Sequence, residues 1–231
     1  IFQELVQDKK LLIWIDDMLA FAKTFKEYLE VVSRILQLCR EYGLKLSLDK
    51  TTLGDTKAHW CGRDITGDGV TLNARNTEAF SQMAEPINAG ELGEFIHGLG
   101  WMSRVLPRFA EVSGPLHDLL MLAKKTANSQ KKRTYGKISL KSLGWSAVHS
   151  QAFLACKEIL TKTVECIYPK NTGTYCLFTD ASDRYYAGLL TWVENWDSSK
   201  KVTEQDHRPA GTFSGEFTGS AIKWSTIEKE L

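Results

Sequence analysis

The chain is poor in the features that mark several protein classes. Its 231 residues hold five cysteines, Cys39, Cys61, Cys156, Cys166 and Cys176, an odd number at wide spacing with no CxxC pair. That pattern fits neither a disulfide framework nor a zinc module, and it favours a reducing intracellular setting. No apolar run approaches the roughly 18 residues of a membrane span, and no basic-then-apolar leader is present. The expectation is therefore an intracellular protein, neither secreted nor membrane-bound. Charge of one sign is also missing: the net charge is formally +1, so the total says nothing about a polyanionic partner. Histidines 59, 97, 117, 149 and 207 are scattered without ligand spacing. "GDG" and "HGLG" lack the strand, lysine or glycine context of a phosphate loop. No internal repeat is visible. The chain does not begin with Met, and "STIEKEL" reads as a helix only just started, so both ends are expected to be cuts.

What is present is a core-forming composition, 43% hydrophobic, enough for one sizeable domain or two small ones. "LLIWI" and "MLAFA" read as two short buried strands of a hairpin whose turn carries Asp16 and Asp17. Leu29, Val32, Leu36 and Cys39 fall at helical spacing before the stop signal Gly43, predicting a helix over 24–42. "KAHWCGRDITGDGVTL" alternates and contains "GDG", which predicts a hairpin. Helices are expected over 75–84, 89–105 and 108–123. "KKTANSQKKRTYGKISLK" (124–141) then has seven basic residues and no acidic one. It is either a solvated linker or a contact for a nucleic-acid backbone, with Lys131, Lys132 and Arg133 at its centre. "WSAVHSQAFLACKEILTK" reads as a helix burying Ala152, Cys156 and Leu160. "TYCLFTDAS", "YYAGLLTWV" and "HRPAGTFSGEF" read as strands, and a last helix begins near Ser225. The shift from helices to strands places a boundary near residue 140. Tryptophans 101, 145, 192, 196 and 224 are most simply core or interface residues, although an exposed one could stack on a base.

Two adjacent acids between apolar runs need an explanation, because burying charge is costly unless something pairs with it. Asp16 and Asp17 could satisfy backbone donors of their own turn. Alternatively they could hold a divalent cation against phosphates, since hard oxygen ligands suit magnesium. The dipeptide does not decide, and a metal site of that kind needs a further carboxylate.

The surroundings carry more. "WIDDMLAFAKTFKEYLEVVSRILQLCREYGLKLSLDKTTLG" resembles the second half of the palm of reverse transcriptases of gypsy-type LTR retrotransposons. There an aromatic-x-Asp-Asp hairpin precedes a helix, "GLKL", a lysine and a primer-contacting hairpin. "ELGEFIHGLGWMSRVLPRFAEVSGPLHDLL" is similar to the segment that follows in that family. "LGWSAVHSQAFLACKEIL", "FTDASD" and "HRPAGTFSGEFTGSAIKWSTIEKEL" resemble the entry to its ribonuclease H-like domain.

The resemblance implies an α+β or α/β chain. Its segments would be the end of a palm (1–74), a helical thumb or connector (75–123), a basic linker (124–141) and the first part of a ribonuclease H-like domain (142–231). It implies Asp16 as direct magnesium ligand with Asp17 in support, and Trp14, where the family has Tyr or Phe, beside the primer terminus. Lys50 falls near a lysine position that assists the leaving pyrophosphate, though an exposed lysine is ordinarily only a solvated charge. Trp60, Cys61, Gly62 and Arg63 match the primer-contacting hairpin; Arg63 could reach a phosphate or pair with a neighbouring acid.

In the nuclease part, Asp180 would be the first carboxylate and Glu230 its partner. Glu228 is the alternative, but the Ser225–Glu228 spacing already gives it a helix-capping job. Asp183 reads as a turn residue. The implied activity is RNA-directed DNA synthesis with ribonuclease H cleavage, using Mg2+ (or Mn2+), an RNA template, a DNA primer, dNTP and an RNA–DNA hybrid. The setting would be a cytoplasmic virus-like particle or the nucleus. With a polymerase Asp and further nuclease acids missing, the fragment alone is expected to be inactive. The competing reading is a non-catalytic, retroelement-derived domain that binds nucleic acid or protein.

Overall fold

A computed structural model of the chain describes residues 1–163 and 165–230. Two compact units divide it, 1–67 and 68–231.

In the first unit, helix α1 (Gln3–Gln7) leads into a hairpin of β1 (Leu11–Trp14) and β2 (Asp17–Ala20). The strands pair antiparallel from Leu11–Ala20 to Trp14–Asp17. One hairpin face packs on helix α2 (Phe25–Glu41), where Leu5, Leu11, Val31, Ile35, Leu38 and Cys39 are buried together. The helix starts because the Thr24 hydroxyl accepts the Glu27 amide at 3.2 Å, satisfying one free N–H of the first turn. It stops at Gly43, whose φ of +68° lets the Leu44 amide reach back to the Cys39 carbonyl at 2.8 Å.

Two expectations change here. The hairpin strands are not buried: Leu11 is, whereas Leu12, Ile13, Trp14 and Ile15 are exposed. A two-stranded ribbon has only one face on the helix. The buried stripe of α2 is Val31, Ile35, Leu38 and Cys39, while Leu29 and Leu36 face outward. The helix carries apolar residues on two sides, and periodicity alone does not say which one the hairpin covers.

A second hairpin follows, β3 (Ala58–Trp60) and β4 (Arg63–Ile65). Its turn is Cys61–Gly62, between the paired Trp60 and Arg63, while "GDG" joins β4 to the strand that follows it. Both turn residues have positive φ, +49° and +75°, the combination that matches the twist of paired strands.

In the second unit, β5 (Gly69–Leu72) pairs antiparallel with β6 (Cys166–Ile167). Between them run helices α3 (Ala74–Gln82), α4 (Ala89–Met102), α5 (Phe109–Thr126), α6 (Lys132–Tyr135) and α7 (Ala147–Thr161). Asn88 caps α4, accepting the Glu91 amide at 2.9 Å, while the Glu91 carboxylate takes the Ile87 amide at 2.8 Å. Ala152, Cys156 and Leu160 of α7 are buried, as their spacing predicts. They join Leu92, Phe95, Leu99, Leu116 and Leu120 in one core, with the Phe95 and Phe153 rings 4.5 Å apart.

The basic stretch is folded into this core rather than left as a linker. Tyr135 and Leu140 are buried, and Gly136 lies against Gly90 so closely that only hydrogens fit between them. Lysines and arginines on its outer side gave the whole segment a polar reading, which hid these anchors.

A three-stranded antiparallel sheet completes the unit in the order β7 (Thr174–Ala181), β8 (Tyr185–Val193) and β9 (Arg208–Glu216). One face packs on α5: the Ser214 hydroxyl accepts the Ala110 amide at 2.9 Å, and the Tyr185 ring lies against Gly114. The last element is the short helix α8 (Thr226–Glu230), packed against β7.

Gly114 and Gly100 separate packing from propensity. A methyl group at 114 runs into the Tyr185 hydroxyl and ring, whereas at 100, in α4, it meets nothing within 4 Å. Gly114→Ala should lower stability by about 1–3 kcal/mol. Gly100→Ala should raise it by roughly 0.5–1 kcal/mol, both read from urea unfolding.

Candidate functional site

The Asp16–Asp17 pair stands at the tip of the first hairpin. The turn is Ile15–Asp16, and Ile15 has φ +55° and is 85% exposed. A β-branched residue in the left-handed region is an outlier that costs about 1–3 kcal/mol, strain of the kind that collects at functional sites. Both aspartates are exposed, and among the described residues neither carboxylate accepts a hydrogen bond. The turn-donor explanation of the pair is thereby removed. So is the problem of buried charge, since the tip stands in solvent.

The second hairpin's turn lies within reach of this tip. Partial burial, then the negative charge of Asp17, push the Cys61 thiol above its usual range, while Arg63 pulls it down. Asp17, Cys61 and Arg63 therefore share one electrostatic neighbourhood. Gly62 is the second turn residue, and Trp60 is half-buried, its indole N–H buried and without a hydrogen-bond partner among the described residues. Trp14 is exposed and cross-strand from Asp17. Lys50 sits in a 3-10 turn, Leu48–Lys50, exposed, and among the described residues no ion pair joins it to Asp16 or Asp17.

The second hairpin also holds an ion pair that its sequence did not announce. Asp64 is buried, with Lys57 at 2.8 Å and His59 at 2.5 Å on its two oxygens. His59 and Asp64 are cross-strand partners, so a turn placed at Cys61–Gly62 would have revealed them.

In the second unit, Asp180 lies near the end of β7, exposed and opposite Ala187 of β8. Glu230 is exposed on α8, the helix that packs against β7. Among the described residues neither carboxylate has a hydrogen-bond partner. Glu228 differs: it accepts from the Ser225 amide at 2.8 Å and hydroxyl at 2.9 Å, the capping arrangement expected from the spacing. Asp183 lies in the β7–β8 turn with its carboxylate fully exposed. Its neighbour Arg184 grips Asp118 of α5 through two bonds, at 2.8 and 2.5 Å, and Glu216 of β9 at 2.6 Å. These acids, the Asp118 bonds first, hold the guanidinium firmly protonated.

Lys131, Lys132 and Arg133 are exposed at the start of α6, and Lys132 is ion-paired with Glu94. With Lys137, Asn88 and Glu91, Lys132 and Arg133 border a shallow groove between α6 and the start of α4. Besides His59, two histidines have structural partners: His149 closes the Ser146 cap of α7, and His207 bonds Thr191 and the Val202 carbonyl. Among the described residues no three His, Cys, Asp or Glu side chains converge as a metal cluster.

Residues 145–231 match the family model described as an RNase H-like domain found in reverse transcriptase. Along its whole length the chain is 24% identical, over 242 residues, to the retrovirus-related Pol polyprotein of transposon opus from Drosophila melanogaster, of which it covers 22%. It is 24% identical over 224 residues, 97% of the chain, to that of transposon 297 from the same organism, covering 18% of it. The chain thus spans about a fifth of these curated relatives. A structure of the foamy viral protease-reverse transcriptase in complex with RNA/DNA hybrid superposes with TM-score 0.72 over 99% of this chain and 28% of that one, at 18% identity. Along its length the chain is thus similar to the reverse transcriptase and ribonuclease H region of retrotransposon polyproteins, relatives compatible with the gypsy type.

The Ser225–Glu228 cap gives a pH signature. The backbone amide and then the hydroxyl of Ser225 hold the Glu228 carboxyl below the ordinary 4.5. A depressed folded value means the cap is intact above that pH and disappears as pH falls through the lowered value. Ser225 amide protection, followed by NMR, should fall over that window, and in Glu228→Gln it should be weaker with no such titration.

Proposed function

We propose that this chain is part of a retroelement enzyme that copies RNA into DNA and removes RNA from the resulting hybrid. Asp16 and Asp17 supply two polymerase carboxylates, and Asp180 and Glu230 supply the first two of the nuclease. The observation that carries the reading is that all four are solvent-facing and, among the described residues, unclaimed by hydrogen bonds, while Glu228 and Asp64 are engaged.

The donor set fits magnesium or manganese, hard ions that take carboxylate, water and phosphate oxygens. Such ions would neutralise charge developing on a phosphate as its ester bond breaks. Each site holds two acids within the described residues, so catalysis calls for carboxylates from elsewhere in the parent polyprotein. Trp14 and the Trp60–Arg63 hairpin, close to Asp17, are placed to meet a primer end, and Arg63 offers a planar donor fork for phosphate. Lys50 keeps only a weak claim to a catalytic role, being unconnected to the pair. The solved relative's complex with an RNA/DNA hybrid supports a hybrid as partner of this chain.

A non-catalytic nucleic-acid-binding domain is the second reading, favoured by the lack of a three-acid cluster among the described residues. The two readings part in an assay of the chain within its parent polyprotein. Hybrid cleavage with Mg2+ or Mn2+ should fall at least a hundredfold in Asp180→Asn and Glu230→Gln, but persist in Glu228→Gln. Cleavage indifferent to Asp180→Asn sinks the nuclease assignment.

The basic surface has its own test. Replacing Lys131 and Arg133 by Gln should reduce the salt dependence of hybrid binding by about 0.9 in log–log slope for each phosphate that is no longer neutralised. Lys132, already paired with Glu94, should matter less. An unaltered slope returns these residues to a purely solvating role.

A further inference from the structure

Helix α8 has five described residues, too few to hold a helical shape unaided. The Ser225–Glu228 cap closes its beginning locally, but a local cap cannot fix the helix against the sheet. Lys229 does reach the sheet. Its side chain is only 6% exposed, and its Nζ donates to the Asp183 backbone carbonyl at 2.8 Å. The same ammonium lies 4.0 Å from the Asp183 carboxylate and 5.6 Å from the centre of the Phe217 ring. A lysine is almost never buried unless paired. Here a carbonyl, a carboxylate and an aromatic face together replace its water.

Both ends of this contact adjoin the candidate nuclease acids. Lys229 immediately precedes Glu230, and Asp183 stands three residues after Asp180. Successive helical side chains are about 100° apart, so fixing Lys229 fixes the direction in which Glu230 leaves the helix. The receiving turn is itself held: Ser182 and Tyr185 exchange backbone and hydroxyl bonds at 2.8–3.1 Å, and Arg184 clamps it to Asp118 and Glu216.

We propose that Lys229 is a positioning residue, which locks the helix bearing Glu230 onto the turn that follows Asp180 and so sets the spacing of the two carboxylates. The inference rests on reading those acids as the metal-holding pair. It assigns the work to the Asp183 carbonyl, since the Asp183 carboxylate is fully exposed.

The test uses the whole chain and two readouts: hydrogen exchange of the α8 amides without metal, and Mn2+ binding followed by electron paramagnetic resonance. Lys229→Met keeps the buried stem and removes the ammonium. It should speed α8 exchange by about tenfold, the effect of removing one charge-assisted bond, and weaken Mn2+ binding several-fold. Lys229→Arg should restore both in large part, and Asp183→Ala, which keeps the carbonyl, should change neither. Unaltered exchange in Lys229→Met overturns the proposal, as does an Asp183→Ala that mimics it. Failure of the underlying metal reading looks different: Asp180→Asn would leave Mn2+ binding intact while Lys229→Met still freed the helix. Should Lys229→Met perturb the core, seen as a changed near-ultraviolet dichroism, Lys229→Gln carries the same comparison.

Discussion

The contact of α5 with β8 is the constraint on which the second unit depends. Gly114 lets the Tyr185 ring lie directly on the helix, and one residue earlier Arg184 joins α5 to β9 through Asp118 and Glu216. Ion pairs this exposed contribute little stability singly. Their value lies in direction, because a planar guanidinium with three short bonds admits few orientations. The β7–β8 turn is thereby immobilised at the place where the strand bearing Asp180 ends. Helix α8 then has a fixed surface to dock on, and a chain of contacts runs from the core helix to the candidate nuclease acids.

The first unit reaches a similar end by other means. Its two hairpins have two-residue turns in which a non-glycine residue, Ile15 or Cys61, adopts positive φ. Tight turns bring the flanking pairs Trp14–Asp17 and Trp60–Arg63 close to the tips. At the first hairpin the strain is offset by the ladder and by the packing of Leu11, Met18 and Ala20 on α2. Asp64, anchored by Lys57 and His59, stiffens the second hairpin just behind its tip.

Much of this frame was legible in the sequence. The Gly43 stop and the helix starts expected at 24 and 89 lie at or beside the observed ends, where Thr24 and Asn88 supply a bond the first turn lacks. The three sheet strands and the Ser225 cap also lie where pattern placed them. What stayed hidden depends on partners distant in the chain. Periodicity could not say which apolar side of α2 is covered, nor that Tyr135 dives under a basic surface. Arg184, Asp118 and Glu216 look like ordinary surface charges until the fold brings them together. The acids themselves were found by motif, but their freedom from hydrogen bonds is a property only coordinates reveal.

The five cysteines divide by accessibility. Cys39, Cys156 and Cys166 are buried, and burial pushes the Cys156 thiol up to about 12, which leaves it inert. Cys61 and Cys176 are only partly covered. The first sits at the hairpin tip within the field of Asp17, and the second lies on β7, on the same sheet face as Asp180. An alkylating label would therefore reach these two positions before the buried three, and Cys61 the more slowly, because its raised thiol holds less thiolate.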